Sequence, residues 1–414
     1  MTDVKAVLSY KISELSLFFL LLNVSTIYSY FFPRISMILL IIAGGLSLLS
    51  LLFLMKYKIN KICFLLILTW FFIYLIPTLV NGFTASFFNY FIKVLVIFID
   101  LWNLKVNKKD IVRCLFKICF IFTLWSLINS FIFLFPVKLP VFQSFFTSWG
   151  GKYDLYLGIF MKNTSRITLL NHELFRMHVP FSEPGNAQMF YNFGFACCLF
   201  ENKKSKKNMI FGLLFLCAVI FSFSLTGYMI AICLTLIYLI KNQKVLLYLP
   251  VLLVTISIAF ILINDKLSSV SYSERYADTI YIFKSAYRNL PFGIGIGNSD
   301  KLDPLIFENG EIASASFYSG LISPLVIFGF FSFYYYFLLI LSCKYFFGRN
   351  IWSNVAFSFY LLISLATEPQ ALANITSIFF ISSIINYSTE ISHIHRVYSR
   401  NPSEKKSRLY NGNI

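Results

Sequence analysis

Charge is what this chain has least of: 13% of its 414 residues are charged, 58% are hydrophobic, and the mean hydropathy is +0.74. No soluble domain could solvate that surface, so the composition excludes one and points to a membrane protein with several spans. Acidic residues are scarcer still, 18 against 35 basic, for a net charge of +17. In a soluble chain that excess would suggest nucleic acid. Here the basic residues fall in short seams between apolar runs, so they report topology, and no nucleic-acid partner is expected. Four histidines and eight cysteines show no metal-ligand spacing, and adjacent Cys197 and Cys198 cannot supply it, so neither a metal nor a cofactor is expected. Lys5 and Lys11 precede a long apolar run without the short core and small-residue cleavage site of a removable signal, so the first helix is expected to stay as an anchor.

A hydrocarbon core of about 30 Å needs roughly 20 apolar residues per helix. About twelve such spans emerge, at 12–32, 35–55, 62–80, 84–104, 113–135, 184–200, 209–223, 225–240, 245–263, 317–343, 351–367 and 369–387. The expected fold is therefore an all-α polytopic membrane protein of about twelve transmembrane helices with two large extracytoplasmic loops. The first seam and every second one after it hold 22 of the 35 basic residues, among them Lys56, Lys105, Lys109, Lys203, Lys344 and Arg400. By the positive-inside rule these seams and both termini are cytoplasmic. The opposite seams hold eleven of the 18 acidic residues, including Glu183, Asp278 and Glu368. The divisions are 1–135 (helices 1–5), 136–183 (first large exterior loop), 184–263 (helices 6–9), 264–315 (second large exterior loop), 316–390 (helices 10–12) and 391–414 (basic cytoplasmic tail). Residues 209–240 are short for two spans, yet both flanks are basic; two short helices meeting near Ser222, Ser224, Thr226 and Gly227 reconcile the two facts.

No cytoplasmic seam before the tail could hold a nucleotide-binding domain, so bound ATP does not drive the work. The 48-residue and 52-residue exterior loops are the places to look for function. The first ends in His172-Glu173-Leu174-Phe175-Arg176-Met177-His178-Val179-Pro180-Phe181-Ser182-Glu183-Pro184 and runs directly into a span. Pro184 suits the first position of a helix, which sets Glu183 at that helix's positive end, where a carboxylate could take a proton from a hydroxyl nucleophile. Helix capping alone would also explain it. Arg166 and Arg176 in this loop, with Arg275 and Arg288 in the second, offer forked donors that match phosphate oxygens. His172 and His178 would orient a sugar or assist the base, or simply hold the loop. The second loop carries Gly293-Ile294-Gly295-Ile296-Gly297, which lacks the βαβ context of a dinucleotide fingerprint and reads as a close backbone approach or a tight re-entrant turn. Inside the membrane, Lys93 and Asp100 lie seven positions apart on one helical face, where they would point into the bundle or Lys93 would snorkel to the surface, and Glu368-Pro369 between the last two spans would face the exterior cavity or simply mark the turn.

The stretch Arg176-Met-His-Val-Pro-Phe-Ser-Glu183-Pro184-Gly185, the turn Ser222-Phe-Ser-Leu-Thr226-Gly227, and Arg275 followed by Pro291-Phe-Gly-Ile-Gly-Ile-Gly297 resemble the O-antigen polymerase and ligase superfamily, most closely the Wzy-type polymerases of bacterial surface polysaccharide. The resemblance implies a multi-pass glycosyltransferase of the bacterial inner membrane, at work on the periplasmic face. It would move a growing glycan from one undecaprenyl diphosphate carrier onto the sugar of a newly delivered lipid-linked repeat unit, with a chain-length regulator as a further partner. Carried over by position, Glu183 becomes the base, with Arg176 and Arg275 as diphosphate ligands. The related ligases, which transfer glycan to lipid A core, carry a histidine in the second loop; here the equivalent stretch is Ser314-Ala315-Ser316-Phe317-Tyr318, which favours a polymerase. A lipid-linked oligosaccharide flippase is the alternative of another class, and the long exterior loops argue against it.

Overall fold

Hydrocarbon offers no partner for a backbone N–H or C=O, so an apolar run of spanning length must satisfy its own backbone as a helix. The computed structural model of the chain follows that rule; it describes residues 2–23, 26–54, 59–134, 139–146, 152–163, 166–169, 172–200, 206–242, 253, 257, 270–299, 302, 305–306, 312–313, 319–347, 350–368 and 371–400. In chain order the helices are α1 (Thr2–Leu22), α2 (Ile27–Phe31), α3 (Pro33–Leu54), α4 (Lys61–Asn81), α5 (Ala85–Val106), α6 (Ile111–Leu134), α7 (Pro184–Phe200), α8 (Lys206–Ser222), α9 (Leu225–Asn242), α10 (Val270–Arg288), α11 (Ser323–Phe328), α12 (Ser332–Tyr345), α13 (Ile351–Thr367) and α14 (Asn374–Arg400). Among the described residues six stretches are long and apolar enough to cross a membrane: α3, α4, α5, α6, α9 and Ser323–Tyr345, which joins α11 to α12 through a 3₁₀ turn. The chain is thus a helical, multi-pass membrane protein.

Several expected limits shift. The first helix is Thr2–Leu22 and not 12–32, because polar groups break the apolar run early: Thr26 Oγ1 donates to the Leu22 carbonyl (2.6 Å) and forms a capping box with Ser29, and Pro33 opens α3. The interval 209–240 is two helices, interrupted at Phe223, whose φ of +47° no helix tolerates. The expected span 245–263 falls almost wholly outside the described residues. The last helix begins at Asn374, not at residue 369.

Hydrogen bonds sort the turns onto two ends. At one end, Asn60 ahead of α4 donates to Ser388 O (2.9 Å) and Ser392 Oγ (2.7 Å) on α14, Lys105 Nζ on α5 donates to Asn386 Oδ1 (2.8 Å), and Asn386 Nδ2 donates to Tyr345 O on α12 (3.0 Å). At the other end, Ile27 N donates to Pro180 O (2.9 Å), Met177 N to Phe221 O (3.0 Å), Asn81 Nδ2 to Gly293 O (2.8 Å) and Gly320 N to Glu368 O (2.8 Å). The alternation of lysine-bearing and carboxylate-bearing seams is therefore an alternation between a lysine-rich end and a loop end. Between them, Asp100 is fully buried and joined to Ser16 Oγ (2.5 Å), whereas Lys93 is partly exposed and no ion pair links the two.

The first loop contains short antiparallel strands, β1 (Val141–Phe146), β2 (Lys152–Tyr156) and β3 (Phe160–Asn163) in one sheet, with β4 (Arg166–Leu169) and β5 (His172–Phe175) as a separate hairpin. The three-stranded sheet is tied down at the end of α6. Asn129 Nδ2 donates to Met161 O (3.0 Å) while Met161 N donates to Asn129 Oδ1 (2.9 Å), and Trp125 Nε1 donates to Ile159 O (3.0 Å). Phe145 stacks on Phe31 of α2 with centroids 4.5 Å apart. The second loop contributes α10 and a two-stranded hairpin, β6 (Leu305–Ile306) and β7 (Ile312–Ala313).

Its glycine run is a backbone seam. Gly293, Gly295 and Gly297 take φ of +71°, +79° and +81°, while Ile294 N donates to Val326 O (2.9 Å) and Gly295 N to Ile327 O (2.8 Å). A Cβ on Gly293 would lie 2.5 Å from Ile327 O, so glycine here lets the loop backbone come directly against that of α11.

Candidate functional site

Helix α8 ends at Ser222 and leaves its last carbonyls without intrahelical donors. The segment before α7 supplies them. Met177 N donates to Phe221 O (3.0 Å), Arg176 Nη2 to Phe223 O (3.0 Å), and Arg176 Nε more weakly to Ser222 O (3.4 Å), while the Tyr228 hydroxyl donates to Ile220 O. Arg176 therefore sits at the negative end of α8, a favourable place for a cation. These bonds engage two of the five N–H donors of its guanidinium.

A few residues on, α7 starts. Pro184 occupies its first position and Glu183 is the residue whose carbonyl accepts Ala187 N (3.1 Å), so Glu183 stands at the positive end of α7, partly exposed. The same helix end receives a second carboxylate that sequence spacing could not assign. Glu368, 3% exposed at the end of α13, lays its carboxyl group directly on Gly185, where a Cβ would overlap both oxygens. Burial pushes the Arg176 guanidinium below its ordinary range, and the neighbouring Glu368 and Glu183 carboxylates oppose that shift, Glu368 more strongly. Two carboxylates and one guanidinium thus share the junction of α7, α8 and α13. The signal for Glu368 was present only as a carboxylate before a proline in a turn; its pairing with Gly185 needs the third dimension.

His178 is in this junction but faces inward. It is 1% exposed, and its Nδ1 donates to the Phe181 carbonyl (2.8 Å), which assigns the proton to Nδ1. Burial, with the Phe181 bond opposing and the Arg176 charge assisting, lowers it to about 4, so the ring is neutral at pH 7. Its geometry is that of a pin for the Val179–Phe181 turn, which Thr26 and Ile27 also bind.

The other candidates are dispersed. Arg166 opens β4 and His172 opens β5, paired in register so that Arg166 faces Phe175, one residue before Arg176, and Leu169 faces His172; their side chains lie outside the described residues. Arg275 is placed on α10 by its backbone, and its side chain is likewise outside the description. Arg288 closes the last turn of α10 and is exposed. Among the described residues no group of three or more His, Cys, Asp or Glu could hold a metal ion. Comparison with protein-family models, with curated proteins and with solved structures finds no match for this chain.

Proposed function

We propose that the chain polymerises undecaprenyl-diphosphate-linked oligosaccharide repeat units into a bacterial surface polysaccharide, acting as a twelve-span glycosyltransferase of the inner membrane. The lysine-rich end lies in the cytoplasm and the loop end in the periplasm. One observation carries the proposal: Arg176, Glu183 and Glu368 meet at the loop end, beneath a strand-bearing excursion, in a membrane protein.

In this reading the acceptor sugar hydroxyl loses its proton to Glu183 as its oxygen attacks the anomeric carbon of the donor. The carbon–oxygen bond to the carrier diphosphate breaks, and the electron pair leaves on the diphosphate oxygen. Arg176 meets that developing charge with the N–H groups that α8 does not use, and a positioned donor of this kind contributes in proportion to the charge that builds up in the transition state. Glu368, buried behind Gly185, holds the guanidinium in place and is a positioning residue. Arg275, Arg166, Arg288 and His172 remain candidates for the second phosphate and the sugar. The test is deletion of the gene in its own host and electrophoresis of the surface polysaccharide. A polymerase loss leaves one repeat per lipid core, whereas total loss of capped core speaks for a ligase or flippase and overturns the proposal.

A further inference from the structure

The lysine-rich end holds a feature the polymerisation reading does not use. Between the α5–α6 turn, α12 and α14 lies a cleft of about 390 Å³, within the range of about 300–1,000 Å³ common for small-ligand sites. Lys105, Lys108 and Lys109 line it from one side, and Ser382 and Asn386 of α14 from the other. Lys105 spends one ammonium proton on Asn386 Oδ1 at 2.8 Å, and Asn386 turns its own amide to Tyr345 O at 3.0 Å, so the Asn386 side chain is committed at both atoms. Lys109, at the rim, places its ammonium over the Tyr10 ring at 4.1 Å. The one carboxylate in the lining, Asp110, accepts the amide N–H of Val112 (2.9 Å) and of Arg113 (3.4 Å) at the start of α6. The decisive group is Ser382: it is 1% exposed, it lines the cleft, and its hydroxyl has no hydrogen-bond partner. A buried hydroxyl without a partner is costly unless something fills the site.

What remains unengaged in this cleft is a set of donors, ammonium protons and one buried hydroxyl, since Asp110 already takes the Val112 and Arg113 amides. Such a lining matches a group with several acceptor oxygens and negative charge. Lys105 belongs to the last turn of an apolar spanning helix, which sets the cleft at headgroup depth. A neighbouring cleft of about 480 Å³ shares Lys105 and Asn386 and adds Lys344, offset by Glu390, giving room for the rest of a headgroup. We infer that this cleft binds the phosphate group of an anionic lipid at the lysine-rich end of the bundle. The site is separate from the Arg176 junction and stands whether or not the chain is a polymerase.

The experiment uses the full chain in a zwitterionic detergent, titrated with short-chain phosphatidylglycerol, with short-chain phosphatidylcholine and with inorganic phosphate, and reads retained ligand by native mass spectrometry. Phosphatidylglycerol should be retained in preference to phosphatidylcholine. Competition by inorganic phosphate supports recognition of the phosphate alone, and its failure to compete supports recognition of a whole lipid headgroup. Lys105→Gln should weaken retention about fivefold, the equivalent of about 1 kcal/mol for a lysine at the membrane surface. Ser382→Ala should weaken it by a comparable factor. Lys108→Gln with Lys109→Gln, in an exposed turn, tests the charges without touching the core. Lys61→Gln, at the same end but outside the cleft, should change nothing. Equal retention of both lipids, or equal losses from Lys61→Gln and Lys105→Gln with none from Ser382→Ala, would reduce the effect to general surface charge and overturn the site.

Discussion

Replacing Gly185 by alanine is the sharpest probe of the α7–α8–α13 junction. The three atoms nearest the added Cβ are the carbon and both oxygens of the Glu368 carboxyl group, so the closest collision is with the end of a flexible side chain and can be relieved by moving it. The backbone at Gly185 is ordinary helix with no positive φ, and alanine gains up to about 1 kcal/mol of helix propensity over glycine. Against that, displacing a buried carboxylate from a helix N-terminus loses at most about 2 kcal/mol. The two terms nearly offset, so Gly185→Ala should cost about 1 kcal/mol or less of stability. Activity should respond differently. If Glu368 fixes the guanidinium of Arg176, a displacement of about 1 Å at the reacting groups can cost about a hundredfold in rate. Surface-polysaccharide ladders from the complemented host, with thermal unfolding of the purified protein alongside, read both quantities. The decisive comparison is a cycle: in a Glu368→Ala background, Gly185→Ala should have no further effect on the ladder, because the group it displaces is gone. Independent, multiplicative losses would refute the claim that Gly185 matters by making room for Glu368, as would a normal ladder from Gly185→Ala.

Other expectations rest on separate features. Glu183→Gln and Arg176→Ala should each leave an inserted protein but stop polymer growth by a factor of about 10² or more; a wild-type ladder from either removes that residue from the mechanism. His178 is held near 4 against about 6.5 unfolded, so the unfolded chain binds more protons between those values and stability falls as pH drops from 6.5 towards 4, by about 3 kcal/mol in all. His178→Gln should flatten that part of the unfolding-midpoint profile, and an unchanged profile would show that the ring is not the group responsible. Gly293→Ala meets the backbone of the 327–329 segment, Ile327 O at 2.5 Å and Gly329 N at 2.6 Å, at a φ of +71°, so it should abolish accumulation of folded protein where Gly185→Ala does not. Asn129→Ala removes both bonds to Met161 and should expose the β1–β3 sheet to limited proteolysis while leaving the spans intact.

Much of the architecture was legible because hydrocarbon leaves the backbone one solution and the basic seams mark one side of each turn. Helices α4, α5 and α6 fall within two residues of their expected limits. The break at Phe223 was legible too, since two basic flanks on one side require an even number of crossings between them. The first helix was misplaced because apolarity alone ignores what Thr26, Ser29 and Pro33 do to a backbone that is already close to the loop end. Strands in the first loop were invisible: pieces of four to six residues, held by Asn129 and Trp125 from α6, carry too few side chains for periodicity to register. The alternating glycines Gly293, Gly295 and Gly297 were readable as a place needing unusual φ, but whether a ligand or the protein's own backbone fills the approach is a tertiary fact.

The candidate site shows the same limit from the chemical side. Sequence order puts Arg176 and Glu183 seven residues apart and invites the view that they face each other as a catalytic pair. The fold gives each a helix end first. Arg176 caps the negative end of α8, Glu183 stands at the positive end of α7, and because the two ends adjoin, opposite charges come together with each already stabilised by its own helix. Glu368 joins from a turn 185 residues further along because Gly185 leaves a space of carboxylate size on α7. Under the proposed function, an anionic donor arriving at Arg176 would meet a guanidinium whose position is set by two backbone carbonyls and which two carboxylates neighbour. Its affinity should rise when Glu368 is neutralised and its turnover should fall, since the same substitution frees the cation and loosens its aim. Glu368→Gln that strengthens binding of a lipid diphosphate while lowering polymer output would separate these two roles; a fall in both would make Glu368 a binding contact and not a positioning one.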